Sequence, residues 1–145
     1  MRFEKIESLE KMTELLIRYD DSAVRTISSR TGDLKQYAKK LFQYAENFVL
    51  SDGDKEIGFV SFYGNDDVDQ MIYLTIIAIS PQFKGHGFGT AVLNYLEKFG
   101  REHNRKKIKL EVDKDNTNAV CFYRKNGFQI TEEASAESVF MEKEI

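Results

Sequence analysis

Apolar residues recur at helical spacing twice near the start of the chain. Leu9, Met12, Leu16 and Tyr19 share one helical face behind Ser8, and Leu34, Tyr37, Ala38, Leu41 and Ala45 share another behind Asp33; each preceding residue can act as an N-cap. The period then changes to that of strands. Phe48 to Leu50 and Ile57 to Tyr63 flank Asp52-Gly53, a pair suited to positive φ, and read as an antiparallel hairpin followed by an acidic loop from Asn65 to Asp69. Met71 to Ile79 is apolar and β-branched on both faces, as in a central strand, and Pro81 forbids further ladder bonding. Beyond a glycine-rich stretch, Val92, Leu93, Leu96 and Phe99 give a third helix an apolar stripe, with Glu97, Lys98, Arg101 and Glu102 on its wet side. Ile108, Leu110 and Val112 alternate as a strand. Asn116 or Thr117 starts a fourth helix through Tyr123, Gly127 suits the left-handed residue after it, and Phe128 to Ile130 with Val139 to Met141 close the chain as a hairpin.

This order predicts a mixed α/β sandwich with helices on both faces of one sheet. No Pro- or Gly-rich linker interrupts the 145 residues, which at 41% hydrophobic content read as a single domain over 1–145. One cysteine and two separated histidines offer neither a disulfide nor a metal cluster, so a reducing setting is expected and no metal is assigned. Cys121, in mid-helix, reads as a small buried hydrophobe rather than a nucleophile. The first ten residues lack a continuous apolar core, and no later run approaches the ~18 residues that a bilayer span needs. The expectation is a cytoplasmic protein off the membrane. A formal charge of −3 argues against a broad nucleic-acid footprint.

The strongest chemical signal is Lys84-Gly85-His86-Gly87-Phe88-Gly89, between a buried strand and an amphipathic helix. Its backbone N–H groups crowd at a helix N-terminus, and glycines allow an anion close approach. A Walker A loop would end Gly-Lys-Ser/Thr, whereas this loop ends Gly89-Thr90-Ala91 with its lysine at the front. A dinucleotide fold would put its glycines after the first strand, and here half the chain precedes them.

The segment from Ile77-Ala78-Ile79-Ser80-Pro81 through Gln82-Phe83-Lys84-Gly85-His86-Gly87-Phe88-Gly89-Thr90 resembles the acetyl-CoA motif of the GNAT superfamily of N-acetyltransferases. Lys84 departs from the Arg or Gln of that motif, which affects one side-chain contact and leaves the glycines in place. A second stretch, Leu110-Glu111-Val112 followed by Asn116, Ala119, Tyr123 and Gly127-Phe128, is similar to the family's later signature. The resemblance implies a GNAT fold with a mixed sheet of six to seven strands and four helices. It also implies that backbone at Ile77, Ala78 and Ile79 meets the pantetheine arm of acetyl-CoA, and that Gly85 to Thr90 hold the pyrophosphate.

An alkylamine of pKa ~10.4 is neutral in about one molecule in 2500 at pH 7, so attack on a thioester needs a proton acceptor, and the departing thiolate needs a proton donor. By resemblance to the ribosomal-protein alanine N-acetyltransferases, Glu111 aligns with the base and Tyr123 with the acid. A solvated strand carboxylate and a core aromatic are the plain readings of the same residues. In the histone-type lysine acetyltransferases the base is a Glu at the position of Tyr73, which cannot act as a carboxylate; Asp66 or water stay open as alternatives to Glu111. Asn116 can contact pantetheine, cap its helix, or both. His86 either touches phosphate or faces water. Arg124 and Lys125 can meet the 3′-phosphate or simply form a charged helix face.

The expected reaction is acetyl transfer to a primary amine through a tetrahedral intermediate, its oxyanion assisted by an N–H of Ile77 to Ile79. A small metabolite, an amino sugar and a peptide N-terminus are the candidate acceptors, with Asp66, Asp67, Asp69, Glu132 and Glu133 available to attract a cationic amine. Self-association into a homodimer stays open. The rival from another class is a non-catalytic acyl-CoA-binding module that keeps the loop without the transfer chemistry.

Overall fold

The computed structural model describes residues 1–21 and 26–145. Seven strands form one mixed sheet: β1 (Arg2–Lys5), β2 (Glu46–Asp52), β3 (Lys55–Asp66), β4 (Met71–Ile79), β5 (Lys107–Asp113), β6 (Gln129–Glu133) and β7 (Ser138–Glu144). Their order is β1-β2-β3-β4-β5-β7-β6. The helices are α1 (Leu9–Arg18), α2 (Ile27–Thr31), α3 (Leu34–Tyr44), α4 (Phe88–Glu102) and α5 (Thr117–Lys125), with a 3₁₀ turn at Pro81–Phe83. The α/β class and the seven-stranded sheet match the sequence reading. Among the described residues five helices stand where four were expected, because α2 is one short turn of Ile-Ser-Ser-Arg-Thr with too few apolar positions to show a period. β1 also escaped notice: its burial pattern is exposed at three of four positions, so it has no inward face to announce it.

The chain divides into two compact units, Met1–Phe62 with Ile76–Gly89, and Tyr63–Thr75 with Thr90–Ile145. In the first, β1 pairs antiparallel with β2 and β2 with β3, around the turn where Gly53 takes φ 62°. Ser8 accepts from the N–H of Lys11 and Asp33 from that of Lys35, so both predicted caps form. Met12, Leu15 and Leu16 of α1, and Ala38 and Leu41 of α3, are fully buried. The Tyr19 ring lies 5.5 Å from that of Phe59, and the buried Asn47 amide donates to the Leu41 carbonyl at 2.9 Å while accepting from the Ser61 hydroxyl at 2.7 Å. A polar side chain at 4% exposure is thereby satisfied rather than stranded.

The end of β4 is held in the same unit. A Cβ added at Gly58 would stand 1.9 Å from the Ala78 carbonyl oxygen, so β3 can approach β4 there only as glycine. The Ser80 N–H donates to the Ile57 carbonyl at 2.8 Å, after which Pro81 opens the 3₁₀ turn. Tyr19 Oη donates to Glu56 Oε2 at 3.3 Å and sits 2.8 Å from Ser80 Oγ. Glu56 also accepts from Lys11 Nζ at 3.1 Å and from Arg18. Burial pushes the Glu56 carboxyl up, but the hydrogen bonds and charges of Lys11 and Arg18 outweigh it and hold the group below its ordinary value.

In the second unit β4 and β5 pair in parallel from Met71↔Lys107 to Leu74↔Leu110, β5 pairs antiparallel with β7, and β7 with β6. Val92, Leu93, Leu96 and Gly100 form the buried stripe of α4. Glu97 corrects the sequence reading: its side chain is 13% exposed and ion-paired with Lys143, not on the wet side. The acidic loop also begins later than expected, since Asn65 and Asp66 belong to β3. Cys121 is exposed on α5, not buried, because its neighbours on that helix bury none of their side chains fully.

Two predictions follow from these contacts. Gly58→Ala should destabilise the fold by about 1–3 kcal/mol and lower Tm by roughly 3–10 °C, read by thermal denaturation. Glu56, depressed in the folded state, contributes stability that is complete above its unfolded value near 4.5 and is lost as pH falls through the lower folded value. Denaturant titrations should therefore show stability falling on acidification below pH 4.5, less steeply in Glu56→Gln than in the parent.

Candidate functional site

In the first unit the functional signal sits where β4 gives way to α4. Ile77 and Ile79 are half-buried and Ala78 is buried, with their backbone in the strand. The chain then passes through the 3₁₀ turn, Lys84 donating its N–H to Pro81 at 3.3 Å, and enters the glycine loop. Gly85 has φ 81° and Gly87 φ 83°, with His86 between them outside the left-handed region. Alternating hands of this kind turn successive N–H groups toward one side, the concavity that binds anions. No backbone carbonyl among the described residues accepts from Gly85, His86 or Gly87. Nothing lies within 4 Å of a Cβ built at Gly85 or Gly87, so the glycines answer to backbone conformation and to open space in front of the loop.

Helix α4 begins at Phe88, so the last two residues of the stretch read as loop, Phe88 and Gly89, supply its first turn and Thr90 continues it. The loop is closed at its base by aromatic contact: the Phe83 and Phe88 rings meet edge-on at 6.0 Å. His86 is exposed, its ring 6.5 Å from that of Phe88, and Lys84 is exposed as well.

In the second unit, strand alternation and register put Tyr73, Lys109, Glu111, Phe140 and Ser138 on one face of the sheet: Tyr73 pairs with Lys109, Glu111 with Phe140 and Asp113 with Ser138. Glu111 is exposed, and its Oε2 accepts from Ser138 Oγ at 2.7 Å. Tyr73 is held protonated above its ordinary value, first by burial and then by the charge of Glu111. Thr75 follows two residues on with Oγ1 buried and unpartnered among the described residues, as is Tyr63 Oη. Lys109 Nζ stands 4.3 Å from the centre of the Phe140 ring, a cation–π contact.

Asn116 is the N-cap of α5, its side chain accepting from the Ala119 N–H at 3.2 Å. Tyr123 is half-buried on that helix, its ring 5.5 Å from Phe128 and 5.3 Å from Phe122. Gly127 follows with φ 94°. Arg124 and Lys125 are exposed in the last turn.

The acidic residues expected to attract an amine are largely engaged within the protein. Asp66 Oδ1 accepts the N–H groups of Val68 and Asp69 at 3.0 and 2.9 Å, Asp67 pairs with Arg105 at 2.9 Å, Glu132 with Lys109 at 3.8 Å and Glu133 with Lys114 at 2.6 Å. Sequence reasoning missed Ser138 altogether. It lies 27 residues from Glu111 in the chain, and only the β5–β7 register reveals the pairing.

A mixed sheet whose central strand runs into a proline turn, a two-glycine loop and a helix is the arrangement expected of the acetyltransferase fold. The family model described as the acetyltransferase (GNAT) family matches residues 9–128, and the chain belongs to that family, whose members use acetyl-CoA. An uncharacterized N-acetyltransferase of Methanocaldococcus jannaschii is 29% identical over 64% of this chain and 44% of its own length. A mycothiol acetyltransferase of Corynebacterium glutamicum strain R is 32% identical over 66% of this chain and 32% of its own. The chain thus spans less than half the length of either relative. Among solved structures, the ribosomal-protein alanine N-acetyltransferase of Escherichia coli superposes with a TM-score of 0.75 at 19% identity, over 99% of this chain and 93% of that one. The PaiA N-acetyltransferase of Thermoplasma acidophilum, in complex with coenzyme A, gives 0.72 at 18% over the whole of both chains. At these identities the structures speak for the fold. Among the described residues no helix is long and apolar enough to cross a membrane.

Proposed function

We propose that this chain transfers the acetyl group of acetyl-CoA to a primary amine by direct attack, acting as one GNAT domain. The observation that carries the reading is the pair of left-handed glycines, Gly85 and Gly87, presenting unaccepted N–H groups between β4 and α4 in a chain of this family. Bound acetyl-CoA supplies a thioester carbonyl activated toward nitrogen. Backbone N–H groups from Gly85 to Thr90 hold its diphosphate, with Lys84 adding charge, and the backbone of Ile77, Ala78 and Ile79 aligns its arm and offers an N–H to the carbonyl oxygen. The Asn116 side-chain amide gives the arm a further polar contact.

Glu111 takes the proton that the amine must lose, and Tyr123 returns one to the sulfur as the carbon–sulfur bond breaks. The support for Glu111 is its exposure on a face shared with Tyr73, which stays protonated and so can donate a hydrogen bond to the acceptor. Asp66 is a weaker base candidate, since its carboxylate already serves the turn after β3. The acceptor is a small amine or a peptide N-terminus. An engaged acidic loop favours recognition by the Tyr73, Glu111 and Phe140 face over long-range attraction. A reducing cytoplasmic setting, which suits the exposed Cys121 thiol, belongs to the same reading.

Thiol release from acetyl-CoA over a panel of spermidine, amino acids, glucosamine and alaninamide tests the activity; binding without release from any amine would identify a non-catalytic module instead. Gly87→Asp puts a carboxylate, and a side chain at φ 83°, into the loop. Calorimetry should then show acetyl-CoA affinity reduced at least ~100-fold, about 2.7 kcal/mol, and an unchanged Kd would remove the loop from the site. Tyr123→Phe should lower kcat by roughly 10²-fold or more with Kd for acetyl-CoA nearly unchanged; equal turnover would exclude Tyr123 as the acid.

A further inference from the structure

Glu111 is exposed, yet one of its oxygens is tied to a side chain that solvent does not reach. Ser138, 0% exposed, donates from Oγ to Glu111 Oε2 at 2.7 Å. A hydroxyl has one hydrogen, and that of Ser138 is committed to the carboxylate. The 2.8 Å contact between Ser135 Oγ and Ser138 Oγ must therefore be donated by Ser135. Ser135 Oγ in turn accepts the N–H of Glu137 at 3.1 Å. The result is a one-way chain of donors, Glu137 N–H to Ser135 to Ser138 to Glu111, in which each bond polarises the next.

The turn that carries this chain is fixed to the end of β5. The Ser138 carbonyl accepts from the N–H groups of Ala134 and Ser135 at 3.0 and 3.2 Å, and the Lys114 N–H donates to the Glu137 carbonyl at 2.8 Å. Lys114 Nζ reaches the Ala136 carbonyl at 3.2 Å. Ser138 is thus held from both sides while it points at Glu111. No described residue donates to Glu111 Oε1.

We propose that Ser138 is a positioning residue for the Glu111 carboxylate, fixing Oε2 through the Ser135–Ser138 donor chain so that Oε1 is the atom that receives the proton of the acceptor amine. The inference rests on the reading of Glu111 as the base. A carboxylate anchored at one oxygen has its rotamer set before the amine arrives. Tyr73, on the same face, stays neutral and adds no second charge. Of the charged groups on this face, Lys109 is engaged with Phe140 and Glu132 and Lys107 with Glu142, and Asp113 follows Glu111 two residues along β5 opposite Ser138.

The test compares Ser138→Ala, Ser135→Ala, Ser138→Thr and Glu111→Gln with the parent, by kcat and KM for thiol release from acetyl-CoA with spermidine, glucosamine and alaninamide and by the Kd for acetyl-CoA. Ser138→Ala should lower kcat roughly tenfold, with KM for the amine and Kd for acetyl-CoA within about twofold of the parent. Ser135→Ala should lower kcat by less, and Ser138→Thr, which keeps the hydroxyl, should return it toward the parent. If Ser138→Ala leaves kcat in place while Glu111→Gln lowers it, the positioning role is wrong and Glu111 keeps its role as base. If Glu111→Gln retains the parental kcat, the base reading falls and the positioning role with it. Should circular dichroism show Ser138→Ala unfolded, Ser135→Ala decides: a fall in kcat with KM and Kd held supports the role, and none overturns it.

Discussion

The close approach of β3 to the Ala78 carbonyl is the constraint on which the first unit depends. Only the missing side chain at Gly58 permits it, and it fixes the last residues of β4 just before the proline turn. The Ile57 carbonyl and the Tyr19 hydroxyl then hold Ser80 by its backbone and its side chain. A strand end held at three points delivers the following loop in one place, and backbone N–H groups can grip an anion only when their positions are set in advance. Tyr19 joins that strand end to the Lys11, Arg18 and Glu56 cluster, so a surface ion-pair group of small individual worth acts on the geometry of the loop entrance.

The second unit solves a different problem with the same means. Its candidate base is an exposed carboxylate on a strand, a place where side chains ordinarily rotate freely. The β5–β7 register sets a buried serine beside it, and the tight turn before β7 orients that serine. Tyr73, on the neighbouring strand, is near enough to feel the carboxylate's charge and itself stays neutral. Among the described residues the buried hydroxyls of Tyr63 and Thr75 find no partner, and such groups are costly unless something else bonds them.

What the sequence made legible was whatever has a local signature. Met71 to Ile79 appears as a strand with the bounds expected, since its composition and Pro81 define it without reference to any neighbour. The caps at Ser8, Asp33 and Asn116 and the left-handed Gly127 are likewise local and all occur. The features that escaped are those decided by partners distant in the chain. β1 is a strand because β2 lies beside it, Glu97 is shielded because Lys143 reaches it, and Ser138 matters only through Glu111. Cys121 failed for a related reason: a small apolar residue in mid-helix says nothing about which side of the helix is covered.

The edge-on contact of Phe83 with Phe88 has a consequence for dynamics. Two glycines within three residues would ordinarily leave a segment sampling many conformations, and closing on a ligand would then cost the entropy of ordering it. Here the ring contact braces the segment at its base and reduces the conformations open to it. On the proposed reading of this loop as a diphosphate grip, that part of the ordering entropy is lost on folding rather than on binding, and selectivity lies more in geometry than in adaptation.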